Sequence, residues 1–209
     1  MSKPGKEKPV LALTTSRIEA LTDGIFAFAM TLLVLNLVIP DAVSEQSHLQ
    51  LQDLLLGQAA KFFHYFLAFM LLAIFWVRHH RQFHWIKRTD SRLLWLNILI
   101  LLFVAMMPFS ADIVGDYAGS ITANIFFAGN MLMLGLLFLA NWAYATSNPK
   151  LIDPELDMVT IIQLRRRGIV EPAISAIVIM LSLFIPEWSL WLYLLTPFVM
   201  LLKPFRRGT

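Results

Sequence analysis

The chain has 209 residues, of which 58% are hydrophobic and 15% charged, whereas an ordinary soluble domain carries about 25% charged residues. So little polar surface cannot coat a water-soluble globule, and the composition predicts an all-α polytopic membrane protein whose apolar excess faces lipid. Having no cysteine excludes disulfides, thiolate catalysis and Cys-ligated zinc, and a net charge of +3 is too small to suggest a nucleic-acid binder.

In chain order, residues 1–15 read as a flexible polar tail and residues 16–209 as one transmembrane unit. Six apolar segments follow, each near the roughly 20 residues that span a bilayer. They cover 17–39 (stopped by Pro40), 54–77, 93–109, 121–145, 169–185 and a short last segment, 188–202, interrupted by Pro197. Backbone polar groups in lipid must be satisfied within the segment, so these read as helices. The first segment is too long for a secretory signal and has no small-residue cleavage site after it. Residues 146–168 form the longest connection, with breaks at Asn148-Pro149 and Asp153-Pro154 and a short interfacial helix ending at Arg165-Arg166-Arg167.

The loops orient the spans. With the N-terminus inside, the inner side collects Lys3, Lys6, Lys8 and Arg17, then Arg78, Arg81, Lys87, Arg88 and Arg92. Lys150, Arg165, Arg166 and Arg167 follow, and finally Lys203, Arg206 and Arg207. That places 16 of the 17 basic residues inside and leaves only Lys61 outside, so the positive-inside rule predicts six spans with both termini cytoplasmic. The outer loops carry Asp41, Glu45, Asp53, Asp112, Asp116 and Glu187. This acidic rim either concentrates cations at an entrance or merely reflects avoidance of the inner loops.

The first span begins with Arg17, Glu19, Thr22 and Asp23 before its apolar stretch. An unpaired Asp at the membrane edge is costly, so Asp23 needs a partner, and Arg78, His79, His80, His84 and Arg92 lie on its side of the membrane. Two readings stand: a polar clasp holding the first helix to the second and third, or direct ion coordination by Asp23. Deeper in, Phe28, Thr31, Leu32 and Leu35 follow the i, i+3, i+4, i+7 spacing of one helical face. Periodicity alone does not separate a packing stripe from a pore lining. The Thr31 hydroxyl can be satisfied by a carbonyl one turn back.

Residues Arg17-Ile18-Glu19-Ala20-Leu21-Thr22-Asp23-Gly24 resemble the R-x-x-x-F-S-D-G signature of the TMEM175 family of potassium-permeable channels. The chain departs from it at Leu21 (Phe) and Thr22 (Ser). The following stretch, 25–35, and the six-span plan are also similar to prokaryotic members. The resemblance implies a homotetramer in the plasma membrane, with four first helices lining a central pore. It implies a constriction formed by Phe28, Leu32 and Leu35, with Thr31 as a hydroxyl ring favouring potassium. Phe28 departs from the aliphatic residue usual there. Arg17, Thr22, Asp23 and Gly24 would form the signature, joined in a clasp by His79, His80 and His84. No cofactor is implied; the partners would be K+, other monovalent cations and membrane lipids.

Other constellations weigh less. Ile113-Val114-Gly115-Asp116-Tyr117 superficially resembles a potassium-channel filter but stands in a short outer connection. His79, His80 and His84 lack a nearby carboxylate and sit among Arg78, Arg81, Lys87 and Arg88, which disfavours a metal. Lys61 and His64 would snorkel or line an outer crevice. Asn97, Asn124, Asn130 and Asn141 lie in spans and are placed to hydrogen-bond between helices. Glu171-Pro172 reads as the start of the fifth span. Without a catalytic set, an H-E-x-x-H motif or a Walker loop, no enzyme is expected. A weakly selective proton or cation leak and a non-conducting membrane interaction protein are the alternatives.

Overall fold

The computed structural model describes residues 14–37 and 48–197. Outside the described residues lie most of the expected tail, the stop at Pro40, and the sixth segment beyond Pro197. So do the basic residues Lys3, Lys6, Lys8, Lys203, Arg206 and Arg207 and the acidic residues Asp41 and Glu45. The described chain is all-helical apart from one antiparallel bridge between Ile86 and Ile152. Its helices are α1 (Thr15–Leu32), α2 (His48–Gly57), α3 (Ala59–Trp85), α4 (Ser91–Ala105), α5 (Met107–Asp116), α6 (Ile121–Ser147), α7 (Met158–Ser182) and α8 (Pro186–Ser189). Short 3-10 turns extend α1 over Leu33–Asn36 and α8 over Leu190–Leu194.

Among the described residues, four stretches are long and apolar enough to cross a membrane: Thr15–Asn36, Ala59–Trp85, Ser91–Asp116 and Ile121–Ser147. Several starts follow from capping chemistry. Asp90, Ser120 and Asp157 each accept the backbone N–H three residues on, at 2.9, 3.5 and 2.9 Å, which satisfies a donor that the helix itself leaves open.

Four boundaries differ from the sequence reading. The first helix leaves α geometry at Leu33 rather than running evenly toward Pro40. The apolar run from residue 54 divides at Gln58, and α3 then continues to Trp85, so the His- and Arg-rich stretch is its last two turns and not a loop. The third span breaks at Met106 and resumes as far as Asp116. Pro108 accounts for that break, since its ring excludes the carbonyl four residues back and it donates no hydrogen bond. The filter lookalike therefore begins as the last turns of α5.

The largest difference is α7. It starts at Met158 and passes unbroken through Pro172, so Arg165–Arg167 belong to this helix rather than to a separate interfacial one. Glu171 lies mid-helix and fully buried, not at a helix start. The proline is accommodated because α6 presents Gly135 to it. A Cβ there would stand 2.8 Å from both Cδ and Cγ of Pro172. Gly168 likewise receives Leu139, whose Cδ2 would be 2.5 Å from an added Cβ.

One core of buried side chains from α1, α3, α4, α5, α6, α7 and the last 3-10 turn runs through the bundle. A smaller one joins Ile18, Phe83, Ile86, Leu93 and Ala145 at one end. At that end the connection after α3 is bonded to the connection after α6: Lys87 N–H donates to Leu151 O (2.9 Å), Asp153 N–H donates to Trp85 O (2.8 Å), and Lys87 pairs with Asp153 at 3.4 Å. Asp90, also here, is nudged upward by partial burial. The Leu93 N–H, the Tyr144 hydroxyl and Arg92 outweigh that and hold its carboxyl below the usual range. The opposite end carries the Lys61–Asp116 ion pair and the Asn124 side chain, which donates to Pro186 O at 2.7 Å. The connections assigned to the inner side thus share one end of the bundle.

Candidate pore helix and its polar clasp

Helix α1 has two unlike faces. Ile18, Thr22, Phe26, Ala29 and Leu33 are buried against the rest of the chain. Arg17, Leu21, Gly24, Phe28, Thr31 and Leu35 are exposed, with Phe28 at 64% and Leu35 at 66% against 1% for Leu33. Ser16, Ala20, Asp23, Ala27 and Val34 are exposed as well, so the outward face is a stripe one to two residues wide at each turn, the complement of the buried one. A Cβ at Gly24 would meet nothing within 4 Å, so this outward seam is uncovered there by its own subunit.

Leu32 is half-buried, a step around the helix from Thr31. The 3-10 turn changes its relation to Leu35, because residues three apart eclipse in that geometry. Thr31 Oγ1 donates to Phe28 O at 2.8 Å. This uses the hydroxyl proton on the helix itself and leaves the oxygen lone pairs on the exposed side. At the far end, Asn36 Nδ2 donates to Pro108 O at 2.9 Å, which ties the 3-10 turn to α5.

The near end is held by a buried triad. Asn97 Nδ2 donates to Thr22 Oγ1 at 3.2 Å, and His79 Nε2 lies 2.9 Å from Asn97 Oδ1 and 3.4 Å from Thr22 Oγ1. An amide oxygen only accepts, so His79 carries its proton on Nε2 and donates it to Asn97. All three residues are buried. The His79 ring stacks on Phe83 with centroids 4.2 Å apart and meets the edge of Phe138. One residue along α1, exposed Asp23 accepts from Trp76 Nε1 at 2.8 Å.

Thr22, Asp23 and His79 are thus brought together between α1, α3 and α4. Asp23 does not pair directly with any of the cations named for it. Trp76 supplies the bond because it lies one turn before His80 on the side of α3 that meets α1, and the two rings stack. Arg78 turns away, with its guanidinium 5.0 Å from the Phe75 ring and 5.8 Å from the Phe138 ring. His80 touches the clasp only through Trp76. His84 instead meets the Trp85 edge. Arg17 and Gly24 lie on the exposed seam.

Sequence reasoning missed Trp76, although an indole N–H beside a carboxylate is a common arrangement for an aromatic at a membrane edge. Asn97 reads in the sequence only as an interhelical hydrogen-bonding residue, with nothing to tie it to Thr22 and His79. The other listed asparagines also bond between helices: Asn124 to Ser189 Oγ (3.1 Å), Asn130 to Ser110 Oγ (3.2 Å) and Asn141 to Gln82 Oε1 (3.3 Å). Lys61 pairs with Asp116, and His64 is buried. Among the described residues no three His, Cys, Asp or Glu side chains are grouped to hold a metal.

Comparison with known proteins adds three findings. A family model described as the endosomal/lysosomal potassium channel TMEM175 matches residues 17–108, which include most of α1, the clasp and the Met106 break. A potassium channel of Streptomyces collinus is 33% identical over 147 residues, covering 68% of this chain and 70% of that protein. The crystal structure of a lysosomal potassium-selective channel TMEM175 homolog from Chamaesiphon minutus superposes with a TM-score of 0.74 at 25% identity. That superposition covers 90% of this chain and 96% of the other.

Proposed function

Because this chain belongs to the TMEM175 family, we propose that it is a potassium-permeable cation channel in which α1 of each subunit lines a central pore. The observation that carries this reading is the outward face of α1, where Leu21, Phe28, Val34 and Leu35 stand uncovered by their own subunit with Thr31 among them. A helix at the edge of a bundle that merely faced lipid would need only apolar side chains. This one carries a hydroxyl at Thr31 within its exposed apolar stretch.

Four subunits would bring four copies of the seam together, as a homotetramer in a cell membrane. Each subunit would contribute six spans with both termini cytoplasmic, α7 being the fifth and the chain from α8 onward the sixth. Rings of Phe28, Leu32 and Leu35 then form an apolar constriction. Such a zone dewets when narrow and blocks ions without any charged gate. Widening by a small helix rotation admits partly hydrated cations. Potassium sheds water more readily than sodium, and the outward lone pairs of Thr31 offer weak replacement ligands, which favours potassium moderately. No acidic ring stands at the constriction, so discrimination comes from dehydration rather than from charge.

The clasp gives the constriction its position. Thr22 and Asp23 hold one end of α1 to α3 and α4, and Asn36 holds the other to α5. Rotation of α1 must carry these partners along or exchange their bonds. Permeation requires no cofactor and no covalent step.

Bi-ionic recordings test the assignment. Thr31→Ala lowers the potassium-to-sodium permeability ratio while conduction persists, and an unchanged ratio removes Thr31 from selectivity. Absence of cation flux from proteoliposomes of the native chain overturns the channel reading itself.

A further inference from the structure

Between α3 and α7, on the basic end of the bundle, lies a cavity of about 320 Å³ that the clasp and seam do not use. Its polar wall is Arg78, Arg81, Gln82 and Arg167. Arg78 is nine-tenths buried, and among the described residues neither of its terminal nitrogens, nor Nε of Arg167, has a hydrogen-bond partner. Arg81 and Arg167 are close enough to repel one another. Fully buried Glu171, whose carboxyl oxygens are also without a hydrogen-bond partner among the described residues, attracts Arg78. Unpaired buried guanidinium groups are costly to maintain. Arg78, with half-buried Arg167 and exposed Arg81 on the same space, makes a site for an anion rich in oxygen acceptors.

The same space does not end at the arginines. A second cavity, about 370 Å³, shares Met70, Ile74 and Pro197 with the first and continues along α3 toward the middle of the bundle. It is walled by Phe66, Leu67, Leu71 and Leu194. An anion site opening into an apolar channel at membrane depth matches one chemistry: a phosphate headgroup with an acyl chain attached. The chain's own continuation past Pro197 carries Lys203, Arg206 and Arg207 and no Asp or Glu, so its side chains cannot neutralise the arginines.

We propose that the α3–α7 cavity binds an acidic phospholipid, its phosphate held by Arg78, Arg81 and Arg167 and one acyl chain lying along Met70 and Ile74. The site depends on membrane embedding and not on conduction, so it stands or falls apart from the pore assignment. An occupant here braces α7 against α3, the helix that holds Asp23 and Thr22.

The test is native mass spectrometry of the full-length protein in detergent, titrated with phosphatidylglycerol or phosphatidylcholine. The native chain retains phosphatidylglycerol preferentially. Arg81→Ala with Arg167→Ala weakens that retention roughly 10- to 30-fold. Arg165→Ala with Arg166→Ala, a charge-matched change on the exposed side of α7, leaves it unchanged. Inorganic phosphate at equal concentration does not displace the lipid. Equal retention of the two lipids, equal loss in both double variants, or displacement by phosphate alone each overturns the proposal. The last would mark a free-anion site. Because the double variant removes a half-buried arginine, Arg81→Ala alone, at an exposed position, provides a second reading. It must weaken retention while the far-UV circular dichroism stays that of the native chain.

Discussion

The buried and exposed faces of α1 carry similar amounts of apolar side chain and serve opposite purposes. Phe26 and Leu33 are each 1% exposed and belong to the bundle core, whereas Phe28 and Leu35 touch little of their own subunit. Hydrophobicity in this helix therefore does not report burial within the subunit. Which face a residue occupies decides whether its side chain stabilises the subunit or stays uncovered by it.

The sharpest way to break the comparison is on the buried face. Phe26→Ala removes a fully buried ring from the central core and costs about 3–5 kcal/mol. This shows as a large fall in the thermal midpoint of the purified protein and in the yield of assembled oligomer. A change no greater than that of an exposed substitution would mean that α1 does not dock as described.

The clasp comes next. Asn97→Leu keeps the branched shape but removes the acceptor of His79 Nε2–H and the donor to Thr22 Oγ1, leaving that buried pair only its long 3.4 Å contact, at a cost of about 1–3 kcal/mol. Replacing all three residues with apolar ones (Thr22→Val, His79→Phe and Asn97→Leu together) recovers most of that stability, because no polar group is left unsatisfied. The triple variant separates structure from gating. It folds nearly as well as the native chain, yet its α1 is no longer oriented by directional bonds. Its open probability in single-channel records therefore differs from that of the native channel. Equal stability loss in the single and triple variants would show that the triad is not a coupled unit.

How much of this was legible in the sequence varies along the chain. The helical, membrane-embedded character follows from composition, and the grouping of basic loops at one end follows from the distribution of Lys and Arg. The first-helix motif carried the family. Boundaries were harder where tertiary packing overrides a local rule. Pro172 reads as a helix start, but Gly135 on another helix makes room for its ring, and no spacing within 158–182 shows that. Arg78 and His79 are adjacent in the chain and diverge by about 100° around α3, one toward α6 and α7 and the other into the clasp. A stretch rich in arginine and histidine therefore looks like a loop until each side chain is assigned its own neighbour. Asp23 found an indole rather than a cation because geometry, not charge, set which residue of α3 faced it.

The smallest stability effect is the most informative about function. Leu35→Ala removes a side chain that is two-thirds exposed in the subunit, so the monomer fold loses well under 1 kcal/mol. If the exposed face is only lipid-facing surface, potassium flux in proteoliposomes is then unchanged as well. If four Leu35 side chains form the apolar constriction, truncation widens and wets it, and flux rises severalfold at unchanged protein density while the thermal midpoint holds. Leu33→Ala, two residues earlier on the buried face, gives the reverse pattern: a cost of about 2–5 kcal/mol in stability and no gain in flux per folded channel. The pair asks one question of one helix turn. Only a pore-lining exposed face makes the stable variant the leaky one.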